Sequence, residues 1–168
     1  MNLNTLNTMP ISQAGDTFRQ CCAATGWVDG MVRSRPYATL VSILNTSDHI
    51  WMDMRESDLL EAFSAHPQIG NVDSLRQKYA STKAMAAGEQ ASVQQATEET
   101  IQALVKGNAE YLEKFGFIFI VCATGKSADE MLALLHARLP NSRPQELQNA
   151  AEEQHKITAL RLEKLFSW

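Results

Sequence analysis

At 168 residues, with 45% hydrophobic and 20% charged side chains, the chain is long enough for one domain with a sizeable core and too apolar for disorder. A net charge of -4 and the lack of any Lys/Arg cluster exclude a general nucleic-acid binder. Three cysteines, two of them adjacent (Cys21 and Cys22), make no disulfide framework and fit reduced thiols in a cytoplasmic protein. No apolar run approaches the ~20 residues of a membrane span, so no membrane partner is expected.

Residues 1–11 are polar, rich in Asn and Thr, and predict a loose N-terminal arm. They lack the basic start and apolar stretch of a signal peptide. The C-terminus carries no Ser-Lys-Leu ending. A helix is predicted over 12–25, capped by Ser12, with Phe18, Cys21 and Cys22 inward and Gly26 ending it. Arg33-Ser34-Arg35-Pro36-Tyr37 reads as a turn, solvated or anion-binding, before a helix over 38–46. A short amphipathic helix follows over 57–65. Ser57 is its predicted cap, Asp58 and Glu61 suit its positive end, and Leu59, Leu60 and Phe63 form its apolar stripe.

Pro67 stops that helix, because the residue before a proline is pushed out of the α region. His66 is thereby left on a bend at a helix C-terminus. Nearby carbonyl ends favour a protonated imidazole and predict a raised pKa. A histidine so placed suits either proton transfer or simple capping of the last carbonyls.

A short helix is predicted over 72–79, then a small, polar stretch that reaches Glu89-Gln90. From there Val93, Ala96, Thr97, Thr100, Ile101, Leu104, Val105, Asn108, Tyr111 and Leu112 hold the helical period for about five turns. Asn108 interrupts the inner side, as a backbone clamp or as part of a polar pocket. The run 115–123 is aromatic, β-branched and apolar, and must be buried. With Thr124-Gly125-Lys126-Ser127 behind it, the run imitates a phosphate-binding loop. The glycine required five residues before Gly125 is instead Ile120, so Gly125 is read as a turn and Ser127 as a helix cap. That helix runs to Arg138, with Met131, Leu132, Leu134, Leu135 and Leu139 inward. A last helix over 145–166 carries the stripe Leu147, Ala150, Ala151, Gln154, Ile157, Leu160, Arg161 and Leu165. Arg161 on that seam implies an anionic partner, a polar cavity, or a guanidinium reaching solvent at the rim.

One extended run cannot make a sheet. The fold class is therefore all-α: a single-domain helical bundle over 12–168 with one buried extended connector at about 115–123. The four histidines lack metal-ligand spacing, and no Cys-x-x-Cys, nucleophile elbow or dinucleotide loop is present, so no metal site is expected. What remains is His66, Glu89-Gln90, Asn108 and Arg161. Together these types suit a small, polar, anionic ligand, with histidine moving a proton and arginine holding negative charge.

The ordered set His66-Pro67-Gln68-Ile69-Gly70, Gly88-Glu89-Gln90, Asn108 with Tyr111, Lys114 through Ala123, Arg138-Leu139, Glu146-Leu147, Lys156-Ile157 and Leu160-Arg161-Leu162 resembles the OHCU decarboxylases. These act on 2-oxo-4-hydroxy-4-carboxy-5-ureidoimidazoline in urate breakdown, and the resemblance, to the bacterial type, covers about residues 12–165. It implies a cofactor-free, helical carboxy-lyase that yields (S)-allantoin and CO2 and works as a homodimer. It implies a catalytic role for His66, with Glu89 as acidic partner. Substrate contacts fall by the same resemblance to Pro67, Ala86, Ala87, Gly88, Gln90 and Arg161, and to the backbone of Phe119, Ile120, Val121, Cys122 and Ala123. Many members carry serine three residues before the Glu-Gln pair, where this chain has Ala86. That hydroxyl contact is missing or comes from Ser81, Thr82 or water. Two other readings are a non-catalytic helical interaction module, which leaves the ordered motif set unexplained, and a different small-acid lyase or hydrolase using the same trio.

Overall fold

The structure is a computed structural model that describes residues 1–67, residue 73 and residues 91–167. The described residues form helices with no strand, so the chain is all-α as expected. They fall into two compact units, Met1–His66 with Asn149–Trp168, and Pro67–Gln148. No described helix is long and apolar enough to cross a membrane.

The first unit contains α1 (Leu3–Thr8), α2 (Ile11–Arg19), α3 (Thr25–Arg33), α4 (Leu40–Met52), α5 (Glu56–Ser64) and most of α8 (Arg143–Phe166). Its core gathers Leu6, Phe18, Trp27, Met31, Ile43 and Leu162, with Phe18 and Trp27 edge to face at 5.9 Å. The N-terminal residues are not the loose arm that their composition predicts. Asn2 caps α1 through the Thr5 N–H, and Leu6 is fully buried. Asn7 exchanges two hydrogen bonds with the Tyr37 backbone at 2.7 and 2.8 Å. Arg35 donates to the Leu6 and Met9 carbonyls that end α1. The turn arginine therefore answers a helix C-terminus rather than an external anion. Leu6→Ala should cost about 2–5 kcal/mol of stability in urea titration. A change under about 0.5 kcal/mol would mean that α1 is undocked in solution.

Several helix boundaries differ from those the sequence predicts. Helix α2 begins at Ile11 after Pro10, without a side-chain cap at Ser12. Gly26 lies inside α3 rather than ending α2. Helix α4 runs on to Met52, started by a reciprocal Thr39–Ser42 capping box. In α5 the cap position is Arg55, not Ser57, and Asp58 accepts from the Arg55 N–H at 3.0 Å. Glu61 serves a different helix end, accepting from the backbone N–H and hydroxyl of Thr25 at the start of α3.

The second unit contains α6 (Ala91–Phe115) and α7 (Ala128–Arg138). Ile101, Leu104, Tyr111 and Phe115 of α6 are buried as the periodicity predicts. Gly107 joins them: a Cβ there would meet the Leu135 side chain of α7 at 2.6 Å, so any larger residue would have to push that leucine aside. Asn108 takes the clamp role, donating to the Leu104 carbonyl at 2.8 Å. Gly116 ends α6 in a left-handed conformation, φ +80°, with its N–H on the Leu112 carbonyl. The run that follows is neither helix nor strand, and Phe117, Phe119, Ile120 and Cys122 are buried, so the extended connector is present. Gly125 turns the chain at φ +74°, and the Ser127 side chain caps α7 through the Glu130 N–H at 3.2 Å.

Candidate active site

Helix α5 delivers His66. Its last turn closes with the His66 N–H on the Phe63 carbonyl at 3.2 Å, and the exposed Pro67 prevents a further turn. The half-buried imidazole does not cap those carbonyls. Its Nε2 pairs instead with Gln154 Oε1 of α8 at 2.5 Å. Gln154 is only 1% exposed and Thr158 only 2%. The Gln154 Nε2 donates to the Thr158 hydroxyl at 3.1 Å, and that hydroxyl donates back to the Gln154 carbonyl at 3.0 Å.

The electrostatics reverse the sequence expectation for His66. Burial lowers its pKa below the ordinary histidine value; the bond to Gln154 opposes this, and the Arg161 charge lowers it further. The helix-end carbonyls do not govern it. His66 is thus a neutral imidazole near pH 7, able to accept a proton before it can give one. The same helix brings Arg161 into electrostatic range of His66 and of the two adjacent thiols. Burial pushes Cys21 up to about 11 and also raises Cys22, so both stay protonated and inert as nucleophiles.

Arg161 is exposed, not seated on an inner seam, and its Nη1 donates to the Cys21 carbonyl at 3.2 Å. The buried row of α8 is Glu146, Ala150, Gln154, Thr158 and Leu162; it shares Ala150 and Gln154 with the predicted stripe and otherwise runs beside it, and Leu160 is 42% exposed. Of the reading's alternatives for Arg161, the rim position is the one observed.

In the second unit the connector is held by its carbonyls. Arg138 donates through Nη1 to the Ile120 carbonyl at 2.7 Å, and Lys126 donates through Nζ to the Cys122 carbonyl at 2.7 Å. The Arg138 guanidinium lies over the Phe119 ring at 4.6 Å and pairs with the fully buried Glu146 at 2.7 Å. Tyr111 donates to the same carboxylate at 2.6 Å, and Asn141 to its other oxygen at 2.9 Å. Burial, together with the bond to Glu146, pushes the Tyr111 hydroxyl well above its ordinary pKa. Among the described residues, the N–H groups of Phe119, Ile120, Val121 and Ala123 have no hydrogen-bond acceptor. The connector therefore keeps donors to offer while two of its carbonyls are engaged by cations.

Of the residues singled out in the sequence, His66 and Arg161 are brought together in the first unit. The stretch Phe119, Ile120, Val121, Cys122 and Ala123 stands in the second. Ala86, Ala87, Gly88, Glu89 and Gln90 lie outside the described residues, as does the predicted helix over 72–79 apart from Asp73. Gln154, Thr158, Arg138 and Glu146 were given no role in the site by the sequence. Their signal was polar side chains recurring at four-residue steps, or closing a helix, on faces otherwise apolar.

The model of the family described as OHCU decarboxylase matches residues 7–163. The chain belongs to the OHCU decarboxylase family. It is 38% identical over 152 residues to the Arabidopsis thaliana uric acid degradation bifunctional protein TTL; the match takes in 90% of this chain and 47% of the relative, about half of that longer protein. It is 27% identical over 168 residues to the 2-oxo-4-hydroxy-4-carboxy-5-ureidoimidazoline decarboxylase of Haloferax volcanii, across 99% of this chain and 97% of that one. A solved OHCU decarboxylase, crystallised in the presence of (S)-allantoin, superposes with a TM-score of 0.72 at 40% identity, over 91% of this chain and 99% of the other. An (S)-allantoin synthase structure at 17% identity and TM-score 0.70 shares the fold, over 99% of this chain and 54% of the other.

Proposed function

We propose that this OHCU decarboxylase family member converts 2-oxo-4-hydroxy-4-carboxy-5-ureidoimidazoline to (S)-allantoin and CO2 in urate degradation, with His66 as the proton donor. The family match across residues 7–163 is the observation that carries the reaction. The substrate's carboxylate sits on a carbon next to a C=N bond. The electron pair left by departing CO2 can pass into that bond, so the substrate supplies its own electron sink. His66 delivers a proton to one face of the ring, which sets the S configuration. Glu89 orients the ring or the ureido group and supports the protonated histidine. Arg161 holds the anionic substrate, and its exposed guanidinium, bound at one nitrogen to the Cys21 carbonyl, supports that role. Pro67, the 86–90 stretch with Gln90, and the N–H groups of the 119–123 connector contact the ring and ureido atoms. Donors without an acceptor among the described residues support this reading of the connector.

We also place the protein in the cytoplasm as a homodimer without a cofactor. Cys21, Cys22 and Cys122 are all buried thiols, which supports a reducing compartment. Sedimentation at twice the chain mass is the expected result for the dimer. The deciding assay generates OHCU in situ from urate with the two preceding enzymes and follows optical activity. Rapid formation of a single S enantiomer is expected. Slow racemic product, matching the uncatalysed control, would overturn the reading in favour of a non-catalytic helical module.

A further inference from the structure

We propose that Gln154, anchored by Thr158, is a positioning residue that holds His66 in the tautomer bearing its hydrogen on Nε2, so that Nδ1 is the nitrogen that takes and returns the substrate's proton. The inference rests on the decarboxylase reading above and extends it from a residue to an atom.

A threonine hydroxyl has one hydrogen and two acceptor sites. Thr158 gives its hydrogen to the Gln154 main-chain carbonyl at 3.0 Å. Toward the Gln154 side chain it is then an acceptor, so the group it meets at 3.1 Å is the amide NH2. That fixes the amide orientation and turns Oε1 to His66. Oε1 accepts only, so the imidazole nitrogen 2.5 Å away carries the hydrogen. Both members of the anchor are almost fully buried, which leaves no competing water to reverse the amide. A neutral imidazole has one N–H, so its basic lone pair is on Nδ1. Among the described residues Nδ1 has no partner. Arg161 is the charged group acting on the ring. A second cation at Nε2 is thereby disfavoured, and a neutral acceptor such as an amide tolerates the resting neutral ring.

The proton route then closes. Nδ1 takes the hydroxyl proton of the substrate as the carbon–carboxylate bond breaks and CO2 leaves. The pair from that bond forms a double bond to the adjacent ring carbon, and the former C=N pair moves onto its nitrogen, which takes a proton from water. The oxygen re-forms a carbonyl, and the adjacent carbon takes back the proton held at Nδ1. The imidazole returns to its Nε2–H form, and one solvent proton is consumed overall, as release of CO2 from a carboxylate requires.

The test combines ring 15N spectra of histidine-labelled protein with the in situ OHCU assay across pH. In the unaltered protein, neutral His66 should show a protonated Nε2 and an unprotonated Nδ1; the opposite tautomer overturns the proposal without any substitution. Gln154→Met should give a mixed tautomer and lower kcat about 10–100-fold with a smaller change in KM. Gln154→Glu keeps the acceptor, so it should restore the Nε2–H tautomer and most of kcat, with the acid limb of the pH profile moved to higher pH by the new carboxylate. Thr158→Val removes the anchor without touching the ring and should fall between. A Gln154→Met protein with wild-type tautomer, kcat and pH profile would overturn the proposal. An inactive wild-type protein that still shows the Nε2–H tautomer would overturn the decarboxylase reading and leave the hold of Gln154 on His66 standing.

Discussion

His66→Asn is expected to lower turnover of OHCU by about 10²–10⁴-fold, the usual contribution of general acid–base catalysis, while leaving the helical fold and its melting cooperative. Asparagine can still meet Gln154 through a hydrogen bond, so the change removes the proton carrier more than the local packing. Steady-state rates against the uncatalysed background, with circular dichroism as the control, decide it. A rate within a few-fold of wild type would remove His66 from the mechanism. The pH profile adds a sign. The His66 pKa lies below the ordinary value because burial disfavours the charged ring, with Arg161 adding to the effect. The neutral, proton-accepting form therefore persists to lower pH. The acid limb of kcat/KM should fall below the ~6.5 of an unperturbed histidine, and a limb above that value would contradict the environment described. The same shift bears on folding. An unfolded chain binds this proton more readily than the native one, so the stabilisation is complete above about pH 6.5 and is lost as pH falls toward the native value. His66→Asn should flatten that part of the stability curve.

Arg138→Met is expected to cost about 3–5 kcal/mol, because it takes the guanidinium 2.7 Å away from the fully buried Glu146 carboxylate. For a chain of this length that is a fall in melting temperature of roughly 6–20 °C. Glu146 keeps Tyr111 and Asn141 as donors, which limits the loss but does not neutralise it. Adding Glu146→Leu should recover most of the stability, since a buried ion pair replaced whole by apolar groups is near neutral. Urea titration of the two single variants and the double variant reads the coupling directly. A single-variant cost below about 1 kcal/mol would show that the guanidinium is not the countercharge of this core. The double variant also carries a functional expectation. It lacks the donor on the Ile120 carbonyl, so it should regain stability without regaining full turnover.

Much of this fold was legible in the sequence, and the misses share a physical cause. The connector at 115–123 was readable because a fully apolar, β-branched run with no partner run has few places to go. Gly125 and Ser127 were readable because turn and cap chemistry is local. The docked N-terminal helix was not, because what holds it is distant: the Tyr37 backbone, Arg35 and, at the chain start, the Leu165 carbonyl. Polar composition alone cannot show that Asn2 and Asn7 have partners. The stripe of α8 was misplaced for a different reason. Rows that step by three or by four diverge slowly along a helix, and an apolar criterion discarded Glu146 and Thr158, which belong to the buried row. That error put Arg161 on the wrong side of the helix. The direction of the His66 shift was missed because the helix end was visible in the sequence and the burial was not. In the site, one residue's position on a bend was legible, while the glutamine and threonine that orient it were not, since they lie 88 and 92 positions further along the chain.

A contact surface written in main-chain amides has a particular consequence for how the connector would answer systematic mutation. Replacing the side chains of Phe119, Ile120, Val121 or Ala123 one at a time leaves every N–H in place, so an alanine or conservative scan there should report packing alone. Only proline deletes the donor itself. In the proposed enzyme, recognition at these positions would therefore be silent to every substitution but proline, and two chains could differ in this run, within what the buried packing of Phe119 and Ile120 allows, while presenting the same donors to the same ring.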